Sequence, residues 1–573
     1  MKRISKIYKK LFFAVAALCF MSSCTDYLTI IPPEKITEEH YWQTKDDVNG
    51  ILAKAYLNLL STDAVSKAIV WGELRADNMT FPASSGEDLK YIVEANLLDE
   101  NSYCKWNIYY EAIQTANLVI DRAPQVMERD PDFTEGDLNV VLGEMYALRA
   151  LAHFYLVRTF RDIPMALEVV ADDSDMPQYP QVHPMEALNL IMADLDKAQG
   201  LVMKSGSFIT REQNYGRITE NAVLAMKADV NLWRAAFAAY YEGEENGGLV
   251  AVGDVQKYYD ECVEDCQELL KNMDALFEKE NKDRPGLVRY PYNLIQNNAD
   301  AAKEKISTAY DEIFGSMNSS ESIMELQVEG DNIKNGFASG VPNMYGSNGN
   351  RGAIIVPATF ASKKYTKDDL RVFSYTNLKS LTGNTGASGS EPADVIIAKY
   401  HAKGSPANNY RKGDDFDANW IIYRKTDVLL MMAEAMVARP SAGEEDFAKA
   451  FDIVNAINTR SRMDTTNIYK PFKQGDYMTK EKSLELISDE RVRELSFEGK
   501  RWYDLVRKAL REKSTAGILF VADKLDSNSG VVKSKMTSID ALFMPIHIDE
   551  LRYNKLLKQN PIHGKEDSSA ELN

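Results

Sequence analysis

Tyr146-Ala-Leu-Arg-Ala-Leu-Ala-His-Phe-Tyr155 belongs to a run whose apolar positions recur at helical spacing, and it has a near copy downstream. Ala147-Leu148-Arg149-Ala150, with Tyr155 six residues past Arg149, matches Ala225-Met226-Lys227-Ala228, with Trp233 six residues past Lys227. Small residues let helix axes approach closely, and an aromatic one or two turns later fills the next groove, which is what stacked helix pairs require. Residues 427–438, with Ala433 and Ala435, offer a further copy.

The two copies lie 78 positions apart, or two periods of 39, as expected of a tetratricopeptide-like repeat of about 34 residues lengthened by loop insertions. Helical periodicity recurs on both sides of these copies, over 105–123, 138–161, 219–241, 254–273, 420–438, 446–461 and 481–510. Thr44-Lys45-Asp46-Asp47 reads as a capping box. Pro184 precedes Leu188, Ile191, Met192 and Leu195, one face of a helix. Strict alternation is confined to Ile354 to Val356 and Val395 to Ile397. The predicted class is all-α, or mainly α: a tetratricopeptide-like helix-pair scaffold with a loop-rich C-terminal region. Periodicity breaks down between about 280 and 415, notably over Asn343 to Gly352 and Thr382 to Ser390, so ligand contact is expected in long loops there.

The 573 residues are 45% hydrophobic, enough for a large core without disulfide or metal staples. A net charge of -18 repels phosphate backbones and argues against a nucleic-acid partner. Residues 2–10 are basic, Leu11 to Met21 are uncharged and apolar, and Ser22 and Ser23 precede Cys24. This succession reads as a signal peptide over 1–23, and Met-Ser-Ser-Cys24 resembles the lipobox of bacterial lipoproteins. Lipid on Cys24 would tether the rest of the chain, in which no other stretch approaches 18 apolar residues, to a membrane surface. Cys104, Cys262 and Cys266 are an odd number that builds no disulfide framework, lack the neighbouring His or Cys pair of a zinc site, and are expected to be buried or half-buried thiols.

Sequence motifs for catalysis are missing: there is no G-x-S-x-G, P-loop, H-E-x-x-H or dinucleotide fingerprint. Asp415-x-Asp417-x-Asn419 begins like a calcium loop, but Trp420 stands where Gly is needed and Thr426 where a bidentate Glu is needed. No metal, cofactor or catalytic residue is assigned. A hydrolase using an unrecognised carboxylate pair is the runner-up from another class.

Four segments taken together carry a resemblance. Tyr146 to Pro164 looks like the signature helix of SusD/RagB family proteins, and Trp106, Tyr110, Ile113, Ala116 and Asn117 fit that family's W-x-x-x-Y-x-x-I-x-x-A-N pattern. Asp489-Glu-Arg-Val-Arg-Glu-Leu-Ser-Phe-Glu-Gly-Lys-Arg-Trp-Tyr-Asp-Leu-Val-Arg507 resembles its C-terminal signature, and Met544-Pro-Ile546 with Asn554 and Gln559-Asn-Pro561 resembles its closing segment. In 489–507, Glu490/Arg493, Glu498/Arg501 and Asp504/Arg507 are spaced to pair on one continuous helix, while Val492, Leu495, Trp502 and Val506 form an apolar stripe. These signatures are therefore expected to be scaffold.

The resemblance divides the chain into an N-terminal helical region, 24–245, and a C-terminal region, 246–573. It implies an outer membrane lipoprotein facing the cell exterior, which captures glycans, or in some members peptides, and delivers them to a SusC-like TonB-dependent transporter. Sugar and peptide recognition needs flat apolar faces beside hydrogen-bonding groups. Two stretches supply that mixture: Trp71, Arg75, Asp77, Asn78 and Phe81, in a region from which family members commonly contribute contacts, and Tyr290, Tyr292, Tyr345 and Arg351. At least one residue from each stretch is expected to line a common pocket.

Overall fold

A computed structural model describes residues 41–563 apart from 171–177, 245–247, 285–288, 301–304, 329–335, 348–349, 367, 377–394, 406, 408 and 463–470. The leader, Cys24 and the stretch Thr382 to Ser390 lie outside the described residues.

Local chemistry sets the helix starts. The Thr44 hydroxyl accepts the Asp47 N–H while the Asp47 carboxylate accepts the Thr44 N–H, so the expected capping box opens α1 (Lys45–Leu60). Ser61 then caps α2 (Thr62–Ile69), which runs directly into a π-helical turn, Val70–Leu74. There follow α3 (Asn107–Met127), α4 (Glu135–Phe160), α5 (Pro184–Gln199), α6 (Glu220–Tyr241) and α7 (Asp254–Glu280), each packed on the next. Pro184 sits in the first turn of α5, where its missing N–H costs nothing. A second set comprises α8 (Lys425–Ala438), α9 (Glu444–Arg460), α10 (Lys480–Leu495) and α11 (Arg501–Glu512). Because α8 packs on α7 and α11 on α6, both sets share one core.

The repeat has a physical counterpart. Ala147, Ala150, Ala225 and Ala228 are fully buried, and the matched basic residues both reach acids on the intervening α5: Arg149 pairs with Asp194 at 2.7 Å and Lys227 with Asp196 at 2.9 Å. α4 is long and apolar enough to cross a membrane, with a mean hydropathy of 1.3, yet 83% of that window is buried inside the fold. Its polar groups have internal partners. Arg158 pairs with Asp229, and His153, pushed down to about 3 by burial and by Arg149, is a neutral ring whose Nε2 accepts the Ala166 N–H. Cys104, Cys262 and Cys266 are buried free thiols.

The structure departs from the sequence reading in three places. The helix expected over 420–438 starts only at Lys425, because Trp420–Arg424 forms a strand, β2, antiparallel to β1 (Ser322–Leu326). The helix expected over 481–510 breaks between α10 and α11, where Phe497 and Gly499 have φ of 72° and 69°. Thus Glu490/Arg493 and Asp504/Arg507 pair as expected, but Glu498 falls in the break and binds Arg424 and Lys399, while Arg501 turns to Asp77. Residues 280–415, finally, are not simply surface loops. They include short helices, Gly340–Tyr345, Ala358–Lys364 and Leu370–Tyr375, and they bury Tyr310, Phe314, Tyr345, Tyr375 and Tyr400. The two alternating stretches meet each other in a bridge between Val356 and Val395.

Charge is sequestered beneath this C-terminal layer. Burial alone would raise the Glu494 carboxyl, but Arg460, Arg424 and Arg371 hold it well below the usual carboxylate range. Arg460 also pairs with Glu321 and Arg371 with Glu490, all with fully buried side chains. The signature segment is a buried, mutually neutralised frame, as its scaffold reading requires.

Candidate functional site

The π-helical turn begins the first candidate stretch and points it inward. Trp71 is buried, its Nε1 donating to Tyr103 O at 2.7 Å and its ring packing on Tyr109 and Phe160. The Arg75 guanidinium donates to the carbonyls of Ala541 and Leu542, both at 2.7 Å, and lies 4.3 Å from the Trp502 ring centroid. Asp77 pairs with Arg501 at 2.9 Å, held below the usual carboxylate range by that guanidinium despite burial that would raise it. Asn78 is fully buried and donates to Glu73 and Ser496. Lys524 reaches in to donate to the carbonyls of Leu74, Ala76 and Met79. Trp71, Arg75 and Asn78 are therefore corrected from surface candidates to packed scaffold, and Asp77 is committed to an ion pair. Their donors are already engaged within the chain, and Asn78 Oδ1, the one acceptor among them without a partner in the described residues, is buried away from the surface.

The chain leaves the core at Thr80, which exchanges backbone hydrogen bonds with Ile355, both at 2.9 Å. Phe81 is half-buried just beyond, and the Ser85 hydroxyl donates to Ala353 O at 2.7 Å. In the second stretch Tyr345 also belongs to the core: it is fully buried, donates to Phe497 O at 3.2 Å and stacks on Tyr400, which stacks on Trp420. The chain then turns in a short hairpin, Gly346–Ser347 against Asn350–Arg351. Gly346 has φ of 82°, and a Cβ there would lie 2.1 Å from Asn350 O. On the second strand of this hairpin the exposed Arg351 donates Nη2 to Ser84 Oγ at 3.3 Å.

Tyr290 and Tyr292 are placed elsewhere. Tyr290 is exposed and Tyr292 half-buried, next to the C-terminal end of α7, where Arg289 pairs with Glu278 and Asn293 donates to Asp274. Of the nine candidates, then, the structure joins the Phe81 and Arg351 segments in one surface and sets the Tyr290 pair against α7. None of the nine lines either of two cavities, of about 280 and 320 Å³, among the described residues. Sequence reasoning missed Ser84 and Ser85, which link the two segments; a serine pair in a turn carries no periodic signal.

What this surface offers chemically is the Arg351 guanidinium, the Ser84 and Ser85 hydroxyls and the half-buried Phe81 ring beside the backbone bridge from Thr80 to Ile355, suited to uncharged or weakly anionic hydrogen-bonding ligands.

Comparison with known proteins places this architecture. Residues 26–232 match a family model described as starch-binding, associating with outer membrane, and residues 343–563 match the model described as the SusD family. SusD-like protein P38 of Formosa agariphila is 25% identical over 514 residues, covering 87% of this chain and 90% of that protein. SusD-like protein P2 of the same organism is 25% identical over 537 residues, covering 88% and 91%. A solved SusD homolog from Bacteroides thetaiotaomicron VPI-5482 superposes with a TM-score of 0.66 at 18% identity, over 92% of this chain and 99% of that one, a likeness of fold. With the two models matched in order along one chain, and with this helix-pair architecture shared, the chain belongs to the SusD family.

Proposed function

We propose that the protein captures glycans at the outer membrane, without turning them over, and delivers them to a SusC-like TonB-dependent transporter. The observation that carries the reading is the match of residues 26–232 to a family described as starch-binding and associating with the outer membrane. In this reading lipid on Cys24 anchors the chain and the binding surface faces the cell exterior. Ligand contact falls to the exposed rim of Phe81, Ser84 and Arg351, with Tyr290 and Tyr292 as a second group. A tethered binder needs a barrel partner, because it moves nothing across the membrane itself.

Native gel electrophoresis through embedded polysaccharides (amylopectin, laminarin, pectin, xylan, mannan), with a reducing-end assay on the same mixtures, tests the reading. Retardation by at least one polymer without new reducing ends is expected. Retardation by none would remove the glycan assignment, and release of reducing ends would favour a hydrolase. Recovery of a β-barrel of about twice its size from detergent-solubilised outer membranes tests the transporter pairing, and repeated recovery of the lipoprotein alone would count against it.

A further inference from the structure

A cavity of about 280 Å³ opens between the connection from α5 to α6, the C-terminal end of α7 and the start of β1. Met273, Leu276, Phe277 and Ile323 give it an apolar wall. Facing that wall are Arg211, Glu280 and Asn221. Arg211 uses Nε on Asn318 O, sits over the Tyr215 ring and favours the charged form of the buried Glu325, but among the described residues neither it nor Glu280 comes within ion-pair distance of an opposite charge. Asn221 is 4% exposed, yet its Oδ1 has no hydrogen-bond partner among the described residues. A buried amide oxygen left unpartnered is costly, so its partner here comes from whatever fills the cavity, water or a bound molecule that displaces it.

We infer that this cavity is a second sugar subsite, taking a single neutral pyranose residue, separate from the rim of Phe81 and Arg351. The inference rests on the glycan reading above. A hydroxyl both donates and accepts: one polyol can donate to Glu280 and to Asn221 Oδ1 and accept from Arg211, while its C–H face lies on Leu276 and Phe277. The two opposite charges favour a ligand with no net charge. The volume falls just under the roughly 300 Å³ lower end of small-ligand pockets, which suits one ring and not a chain. Two sites on different elements would favour polymers over short oligomers through effective concentration.

Saturation-transfer difference NMR on the mature chain tests this, using the methyl α-glycosides of glucose, galactose and mannose singly, with free leucine as a zwitterionic control. Arg211 and Glu280 are exposed, so Arg211→Ala and Glu280→Gln leave the fold intact. At least one glycoside should give a signal that falls fivefold or more in both variants and persists in Lys482→Ala, an exposed position outside both sites. No glycoside signal in the unaltered protein, a signal that survives both substitutions, or a signal from leucine alone would overturn the subsite. The polysaccharide gel separates this from the wider reading. Retardation with no Arg211-dependent glycoside signal leaves glycan capture standing and removes the subsite; an Arg211-dependent signal without retardation does the reverse.

Discussion

The Glu73 carboxylate accepts the backbone N–H of Gly499 at 2.7 Å, joining residues 426 positions apart, and accepts that of Phe497 at 2.6 Å. The π-helical turn is thereby tied to the break between α10 and α11. Gly72 makes the approach possible, since a Cβ there would lie 1.8 Å from Gly499 O.

Burial pushes the Glu73 carboxyl up to about 7, although Phe497, Asn78, Gly499 and Lys399 all favour its charged form. A raised acid binds its proton more tightly in the folded chain. Its contribution to stability is full below the unfolded value near 4.5 and is lost as pH rises to about 7. The urea midpoint should therefore carry a downward component across that window, and Glu73→Gln should flatten it. An identical slope in the variant would contradict the assignment.

Lys524 should act as a clamp on the segment after the π-helical turn. Lys524→Met leaves the carbonyls of Leu74, Ala76 and Met79 without their donor, at an expected cost of about 1–3 kcal/mol in urea denaturation. Faster hydrogen exchange confined to residues near 74–81 would accompany it; unchanged stability and exchange would show the clamp to be idle.

Trp502 is 3% exposed, lies under Arg75 and donates to Leu542 O at 3.3 Å. Trp502→Ala should cost about 3–5 kcal/mol. A variant that melts normally but loses ligand would move this residue from scaffold to site.

For the rim, Arg351→Ala and Phe81→Ala should each weaken retention of the cognate polysaccharide by about 1–3 kcal/mol, Arg351→Ala without changing Tm. Full retention in both would place the ligand away from this surface.

Cys24→Ala should shift the protein from the membrane fraction to the soluble fraction. Persistence at the membrane would refute lipid anchoring at this residue.

Much of the fold could be read from one dimension because its rules are local. The Thr44/Asp47 box, Pro184 at a helix start and the Ala-Leu-Arg-Ala and Ala-Met-Lys-Ala repeats each act within a few residues. What failed depended on distant partners. Trp420–Arg424 has helical spacing, but its backbone pairs with Ser322–Leu326, and the helix expected through 496–500 is broken where Glu73 captures two N–H groups. The candidate site suffered in the same way. Trp71, Arg75, Asn78 and Tyr345 have the composition of a sugar platform, and only the positions of Tyr103, Leu542, Ser496 and Phe497 decide that they face inward.

The grip of Arg75 on the carbonyls of Ala541 and Leu542 bears on the order in which the molecule is made. Synthesis delivers the amino end first, but the acceptors for Arg75, like Arg501 for Asp77 and Gly499 for Glu73, are among the last residues to emerge. Helix pairs α3 to α7 can stack as they appear, whereas the segment beneath the rim waits, with its buried charge uncompensated, for nearly the whole chain. A nascent chain halted before residue 496 would hold a formed solenoid with an open, protease-sensitive seam at 70–79.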